Sequence, residues 1–230
     1  IHLPAGMEDK FNKMEGIKDF YEERDKKYTD GYNYYYGQNG VKQDYTKAVS
    51  YFRIAGTLGH AHAQTFLVVC YDEGKGIDKD HVEAVKWYRK AAEQGDKYGQ
   101  YNLGLCYDNE QNYAEAVKWY RKAAEQGYSS AQNSLGNLYG HGEGVEQNYV
   151  EAVKWFRKAA EQGEKYGQYN LGLCYQHGNG VTKDLTEAKK WYQKAAEQGH
   201  EDAKKQLANI QKEEIEKAYT DGWNYYYGTK

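Results

Sequence analysis

Three cysteines (Cys70, Cys106 and Cys174) and two histidines (His141 and His177) recur at matching positions along the 230-residue chain. Thiolates and imidazoles are the usual zinc ligands and covalent nucleophiles, so these residues are where chemistry would be sought first. Each cysteine stands one residue before a tyrosine of a repeated pattern, and the matching position of the intervening unit is Leu138. Neighbouring helices of a repeat lie ~10 Å apart, beyond the Cα separation a disulfide allows. The three cysteines therefore read as small buried hydrophobes. His141 and His177 fall in loops with no further ligands at metal-site spacing. His60, His62, His81 and His200 lie at helix starts and form no HExxH pattern. The four serines, Ser50, Ser129, Ser130 and Ser134, sit in no GxSxG elbow. Asp72–Glu73 and Asp108–Glu110 read as solvated carboxylates on turns. With no acid–base or nucleophilic constellation, the expectation is a non-enzyme without catalytic residues, metal or cofactor.

The rest of the composition narrows the class. Lys plus Arg number 31 against 34 Asp plus Glu, a formal charge of −3, which lacks the basic excess of a nucleic-acid-binding face. A mean hydropathy of −1.07, with no apolar run near the ~20 residues of a spanning helix, excludes membrane insertion. One proline against 25 glycines points to many helices stopped by glycine rather than a loop-rich chain. Three cysteines make no disulfide framework, which favours a reducing, cytoplasmic setting. No signal peptide is visible at the start, IHLPAGMEDK. Met7 is a candidate natural start, and a periplasmic or secreted setting would require a leader already removed.

What positions these residues is a repeat. AAEQG ends at Gly95, Gly127, Gly163 and Gly199, spaced 32, 36 and 36 residues, and GTLG ends 36 residues before Gly95. Five units follow: 24–59, 60–95, 96–127, 128–163 and 164–199. The third is shorter because its loop, Asp108 to Gln111, lacks a glycine turn. Each unit reads as two helices. In HVEAVKWYRKAAEQG, Ala84, Trp87, Tyr88 and Ala91 share one helical face. Asp44, Asp80, Asn112, Asn148 and Asp184 are placed to be N-caps, and the closing glycines supply left-handed C′ residues. The second-helix outer face interleaves Lys86, Arg89 and Lys90 with Glu83 and Glu93, and so on along the chain, and reads as a solvated, salt-paired surface.

The first helices repeat a small residue (Ala63, Gly99, Ala131, Gly167, Ala203), then a leucine four later (Leu67, Leu103, Leu135, Leu171, Leu207). Gly104, Gly136 and Gly172 would each weaken an isolated helix by ~1 kcal/mol, so tight packing is expected there. GKGI, GEGV and GNGV between the helices are GxG turns followed by a β-branched anchor; without a following GK[ST] they are not phosphate loops. A helix pair this short cannot bury its own apolar stripe, so the units must stack. The fold class expected is all-α: a right-handed α/α superhelical solenoid of about five helix-turn-helix repeats with helical end caps.

These residues resemble the Sel-one-like repeat (SLR) family, relatives of the tetratricopeptide repeats. The family pattern, A-x3-LG-x2-Y, then GxGV, then D-x3-A-x2-WY-x-KAA-x2-G, is met almost in full by units two, four and five, and the resemblance covers about residues 24–212. Unit one departs from it, with Tyr51 and Phe52 in place of the Trp-Tyr pair, and unit three lacks the GxGV turn. Some secreted SLR proteins carry a disulfide within each repeat and bind β-lactams; that cysteine pairing is absent here, so the role does not transfer. The resemblance also implies that first helices line the concave side and that the protein serves as a scaffold or adaptor.

The positions that would then face inward are Phe66 in unit two; Tyr98, Tyr101, Asn102 and Leu105 in unit three; Asn133 and Asn137, with Ser130 and Ser134, in unit four; and Tyr166, Tyr169, Asn170 and Leu173 in unit five. Tyrosine offers rigid area and a hydroxyl at low entropic cost, and asparagine both donates to and accepts from a peptide backbone. Such a ladder suits an extended protein or peptide segment. Residues copied by duplication would give the same ladder from packing alone. A carbohydrate or cell-wall glycan binder, or a structural module assembling through its similar ends, are the alternatives.

The ends are alike: YTDGYNYYYG at 28–37 and YTDGWNYYYG at 219–228 differ at one position in ten. Residues 1–23 read as a tail and capping helix. Residues 200–230 read as a C-terminal helix and tyrosine-rich segment, either the start of a further repeat block or an end cap. End-to-end self-association is a possible use of that edge.

Overall fold

The computed structural model describes the backbone of residues 7–228, with side chains from Gly16 to Asp221 and those of Trp223, Tyr225 and Tyr226 beyond. Among the described residues there are eleven helices and no strand. They are α1 (Met7–Tyr36), α2 (Tyr45–Thr57), α3 (Ala61–Glu73), α4 (His81–Glu93), α5 (Lys97–Asn109) and α6 (Tyr113–Glu125). After them come α7 (Ser129–His141), α8 (Tyr149–Glu161), α9 (Lys165–His177), α10 (Leu185–Glu197) and α11 (Glu201–Tyr227). This is the helix-pair repeat expected of an α/α solenoid. None of the described helices is long and apolar enough to cross a membrane.

The caps explain the boundaries. Asp44, Asp80, Asn148 and Asp184 accept backbone N–H groups two or three residues on, as at Lys47 (3.0 Å) and Glu151 (3.0 Å). Asn112 departs from the expectation: its side chain makes no capping bond. Unit three is also where the loop shortens: α5 has thirteen residues like α3, α7 and α9, but only residues 110–112 separate it from α6, against seven in the other three units, and Gln111 turns the chain with φ +58°. The expected loop at 108–111 lies at 110–112 instead, so Asp108 stands on a helix and not on a turn. At the other end of the second helices, Asp96 N bonds Ala91 O (3.1 Å) while Gly95 N bonds Ala92 O (3.1 Å), the Schellman pairing that glycine permits.

The chain divides into two compact units, Ile1–Cys106 and Tyr107–Lys230. In the first, α1 packs on α2, α2 on α3 and α3 on α4. Its core gathers Tyr35, Val49, Phe52, Leu67, Val68, Cys70, Tyr71 and Trp87. The expected tail and first repeat helix are one 30-residue helix here; residues 1–6 of that tail lie outside the described residues. In the second unit, α6 to α11 pack each on the next, and α7 also touches α9. Phe156, Leu171 and Cys174 form one core cluster, and Tyr192, Ala203 and Ile210 another.

Two devices hold helices at the required spacing. Ideal Cβ atoms built on Gly136 and Gly172 would lie 2.6 Å from the rings of Phe156 and Tyr192, so the helix glycines mark close approach. A buried glutamine after the small residue of the first helix in units two to five is the second device. Gln64, Gln132 and Gln168 donate to the carbonyls of Gly56 (2.8 Å), Ala124 (3.1 Å) and Ala160 (3.3 Å) near the end of the preceding helix. Each also accepts from a glutamine thirty residues on: Gln94, Gln162 and Gln198 respectively. Buried amides paired on both sides fix register without leaving polar atoms unsatisfied.

Candidate binding site

In the unit Tyr107–Lys230, a depression of about 500 Å³ opens on the face made by the end of α5, by α7 and α9, and by the start of α11. Asn133, Ser134, Asn137, Tyr166, Tyr169 and Asn170, six of the positions named from sequence, line it, joined by Asp108, His141, Glu143, His200 and Asp202. Asn170 Nδ2 donates to Asn133 Oδ1 (2.9 Å) and to Asn137 Oδ1 (3.1 Å). This geometry leaves the NH2 groups of Asn133 and Asn137 as donors and Asn170 Oδ1 as an acceptor for a ligand; the amide orientations follow from the bonding pattern. Tyr169 stacks on His200 with ring centroids 4.4 Å apart, and Tyr166 meets the same imidazole edge-on at 5.3 Å. Burial, with the Asp202 carboxylate nearby, pushes the Tyr169 phenol up from its ordinary value, so it remains a neutral hydroxyl. Tyr166 is 51% exposed, with Lys165 Nζ 5.1 Å from its ring centroid.

The other expected positions sit elsewhere. Leu173 packs against the Tyr192 cluster and lines a smaller cavity of about 260 Å³ beside Cys174. Phe66, in the first unit, stacks on Phe52 at 4.8 Å and lies edge-on to Tyr35 at 5.2 Å, a place in the aromatic core. Tyr98 and Leu105 are exposed and Tyr101 half-buried. Asn102 donates to Tyr98 O of its own helix (2.9 Å). Asn102 and Asn170 belong to identical stretches, KYGQYNLGLCY, yet their partners differ. At the register of Asn133 and Asn137, the repeat preceding Asn102 carries Thr65 and Val69, and Thr65 already bonds Ala61 O (3.3 Å). The preceding repeat of Asn170 offers two carboxamides instead.

His200 was not assigned a role by its type or spacing. It is 8% exposed, and Nδ1 accepts from Ala203 N (3.3 Å), capping α11. Its register, directly after the closing glycine, is the signal: His60, Asp96 and Glu164 stand there too and cap their helices. Asp108 accepts from Tyr120 Oη (3.0 Å). Together Asp108, Glu143 and Asp202 give the depression three carboxylates and no Lys or Arg. Cys70, Cys106 and Cys174 are buried and in no disulfide, and burial pushes the Cys70 and Cys174 thiols up to about 11. Low thiolate content makes them poor nucleophiles. Among the described residues no three His, Cys, Asp or Glu side chains converge as a metal cage would need.

The second-helix surface is paired as expected, with Glu83–Lys86, Glu115–Lys118, Glu151–Lys154 and Glu187–Lys190 contacts. Part of its basic stripe does something else. Lys90, Lys122, Lys158 and Lys194 each lie 4.1–4.3 Å from the ring centroid of Trp87, Trp119, Trp155 and Trp191, a cation–π pairing that covers the tryptophan faces.

Comparison with known proteins agrees with this architecture. No curated protein matches the chain by sequence. Among solved structures, it is similar to a protective antigen of uropathogenic Escherichia coli strains that displays an SLR fold, at 39% identity and a TM-score of 0.78. That match covers 84% of this chain and 42% of the antigen, so the chain spans less than half the length of that relative. It is similar also to a Sel1 repeat protein from Oxalobacter formigenes, at 36% identity and a TM-score of 0.76, covering 81% of this chain and 76% of the other. The Sel1 repeat profile matches residues 30–60, 61–96, 97–128, 129–164 and 165–200. With five consecutive matches spanning most of its length, this chain belongs to the Sel1 repeat family.

Proposed function

We propose that this protein is a non-catalytic scaffold that binds an extended protein segment on the first-helix face of Tyr107–Lys230, with the depression there as its centre. Sel1 repeat proteins generally serve as protein-interaction scaffolds, and the details of the site give that role a chemistry. The observation that carries the reading is the asparagine triad. Asn133, Asn137 and Asn170 are ordered by each other and keep both donors and an acceptor for a ligand, the two kinds of group a peptide backbone pairs with. Tyr166 and the Tyr169–His200 stack supply flat area beside it. The three carboxylates at the rim favour a segment carrying Lys or Arg and repel phosphate.

The test is selection of peptides from a random library on the wild-type chain, followed by affinity measurement on Asn170→Ala and Tyr166→Ala. Enriched sequences should be extended and contain basic residues. Each variant should lose about tenfold in affinity, the effect of ~1.4 kcal/mol, while its melting curve stays in place. Selected peptides that bind both variants as well as wild type would move the site off this face. A library that yields no binder, with soluble glycans binding instead, would replace the protein ligand by a carbohydrate.

A further inference from the structure

The chain contains the same tyrosine-rich decapeptide in two environments. In α1, Tyr35 is 6% exposed and Tyr28, Tyr32 and Tyr34 are half-buried. There the segment lies against α2: Tyr34 stacks on Tyr51 (5.6 Å, 9°), Tyr35 meets Tyr45 edge-on at 5.1 Å, and an ideal Cβ on Gly31 would lie 2.7 Å from Phe52. The matching residues of α11 are exposed: Tyr219 by 73%, Trp223 by 53%, Tyr225 by 91% and Tyr226 by 84%. The change occurs within one helix. Ala203 and Ile210, in the first half of α11, are buried against α10, whereas Ile215 is 64% exposed.

We infer that residues 215–227 are a docking face for a helix of α2's kind, supplied by another Sel1-type repeat segment. Its chemistry follows from what covers the twin: an Asp N-cap, Tyr at the first helical position, Ala-Val at the fourth and fifth, and Phe at the eighth, as in Asp44, Tyr45, Ala48, Val49 and Phe52. Substituting Trp for Tyr32 at the matching position keeps a large aromatic ring, and the other nine residues of 219–228 are identical in sequence to those of 28–37. A second copy of the chain does not fit the mass balance. Each chain has one α2 and two copies of the segment that docks on it, and its own α1 already packs there. An exchange between copies would free one segment for each it covers. The inference is independent of the proposed peptide groove.

The test joins a second copy of residues 38–95, which carry α2, α3 and α4 with the native loop, after Gly228 of the full chain. Amide exchange is followed over 213–228, whose sequence is unique in the chain. The extended protein should exchange there at least about tenfold more slowly than the parent. Tyr226→Asp in the extended protein should restore fast exchange, because the matching Tyr35 is buried, whereas in the parent this exposed position should tolerate the change. Equal exchange with and without the extension would overturn the proposal, as would slowing that survives Tyr226→Asp. Slow exchange in the unextended chain that appears only as its mass doubles with concentration would make a second copy the occupant and overturn it too.

Discussion

Gly172→Ala sets two opposing effects against each other at the site's supporting helix. In an exposed helix, alanine for glycine is favourable by ~1 kcal/mol. Here the new methyl would lie 2.6 Å from Tyr192 Cε1 and 2.7 Å from Cδ1. The ring has little room to retreat: it is fully buried among Ala188, Ala195, Ala203 and Ile210, and its hydroxyl donates to Gln176 at 2.5 Å. Overpacking of a close-packed core costs ~1–3 kcal/mol, and a tethered ring should sit at the upper part of that range. The net expectation is a loss of ~1–2 kcal/mol, a fall in melting temperature of roughly 2–8 °C for a chain of this size. Gly136→Ala meets Phe156 at the same 2.6 Å, but Phe156 has no hydroxyl to anchor it, so its loss should be smaller. Gly16→Ala is the control, since it is exposed in α1 with nothing within 4 Å of the new methyl. Far-ultraviolet circular dichroism against temperature measures all three. A Gly172→Ala chain as stable as the parent would refute the argument that close helix approach is why these glycines stand in mid-helix. Because Tyr169 lies 5.7 Å from the Tyr192 ring, the variant should also weaken whatever ligand the Tyr169–His200 stack holds.

His60 and the buried thiols give two further expectations. Burial holds the His60 pKa below its ordinary value, opposed by Asp25 and reinforced by Arg24 and His62; the folded chain thus prefers the neutral imidazole that caps α3 by accepting from Ala63 N. Its contribution to stability is complete above the unfolded pKa of about 6.5 and is lost as pH falls through the folded value, so thermal melts should weaken from about pH 7 to pH 5. His60→Asn, which keeps a capping oxygen, should flatten that slope; an unchanged slope would assign the pH dependence to other groups. Cys174, its thiol pushed up to about 11, should have a thiolate fraction about a hundredfold below that of an ordinary cysteine. It should therefore label with a thiol reagent only as fast as the unit opens, and labelling as rapid in the native chain as in denaturant would contradict its burial.

Most of the fold was legible because the repeat writes the same instructions several times. An N-cap four residues before an alanine, a Trp-Tyr pair and a closing glycine recur together, and each has a local physical cause that survives in the structure at Asp80, Trp87 and Gly95. Where one local signal stood alone, it carried less. Asn112 has the right residue type at the right register but makes no side-chain cap, because the shortened connection gives it φ −87° and ψ 65° in place of the extended backbone found at Asn148. The glutamines at 64, 132 and 168 carry no local signal of their role. Their burial depends on a carbonyl at the end of another helix, which no single helical period reveals.

The site was legible in a different sense. Register placed Asn133, Asn137, Tyr166, Tyr169 and Asn170 together on one face, but it assigned Asn102 and Asn170 the same role because their surrounding eleven residues are identical. What separates them is the repeat before each: Thr65 and Val69 give Asn102 no carboxamide to bond, and Asn133 and Asn137 give Asn170 two. In a stack of near-copies each contact depends on a residue and on its counterpart one repeat away, so specificity resides in the pairings rather than in the repeat itself. A duplication that copies one unit faithfully therefore need not copy its site. The tyrosine-rich segment makes the same point at larger scale: with nine residues in ten shared, Tyr35 is buried and Tyr28, Tyr32 and Tyr34 half-buried beside α2, whereas Tyr219, Trp223, Tyr225 and Tyr226 are exposed in α11. For this chain, what a surface offers follows from which helix stands next to it.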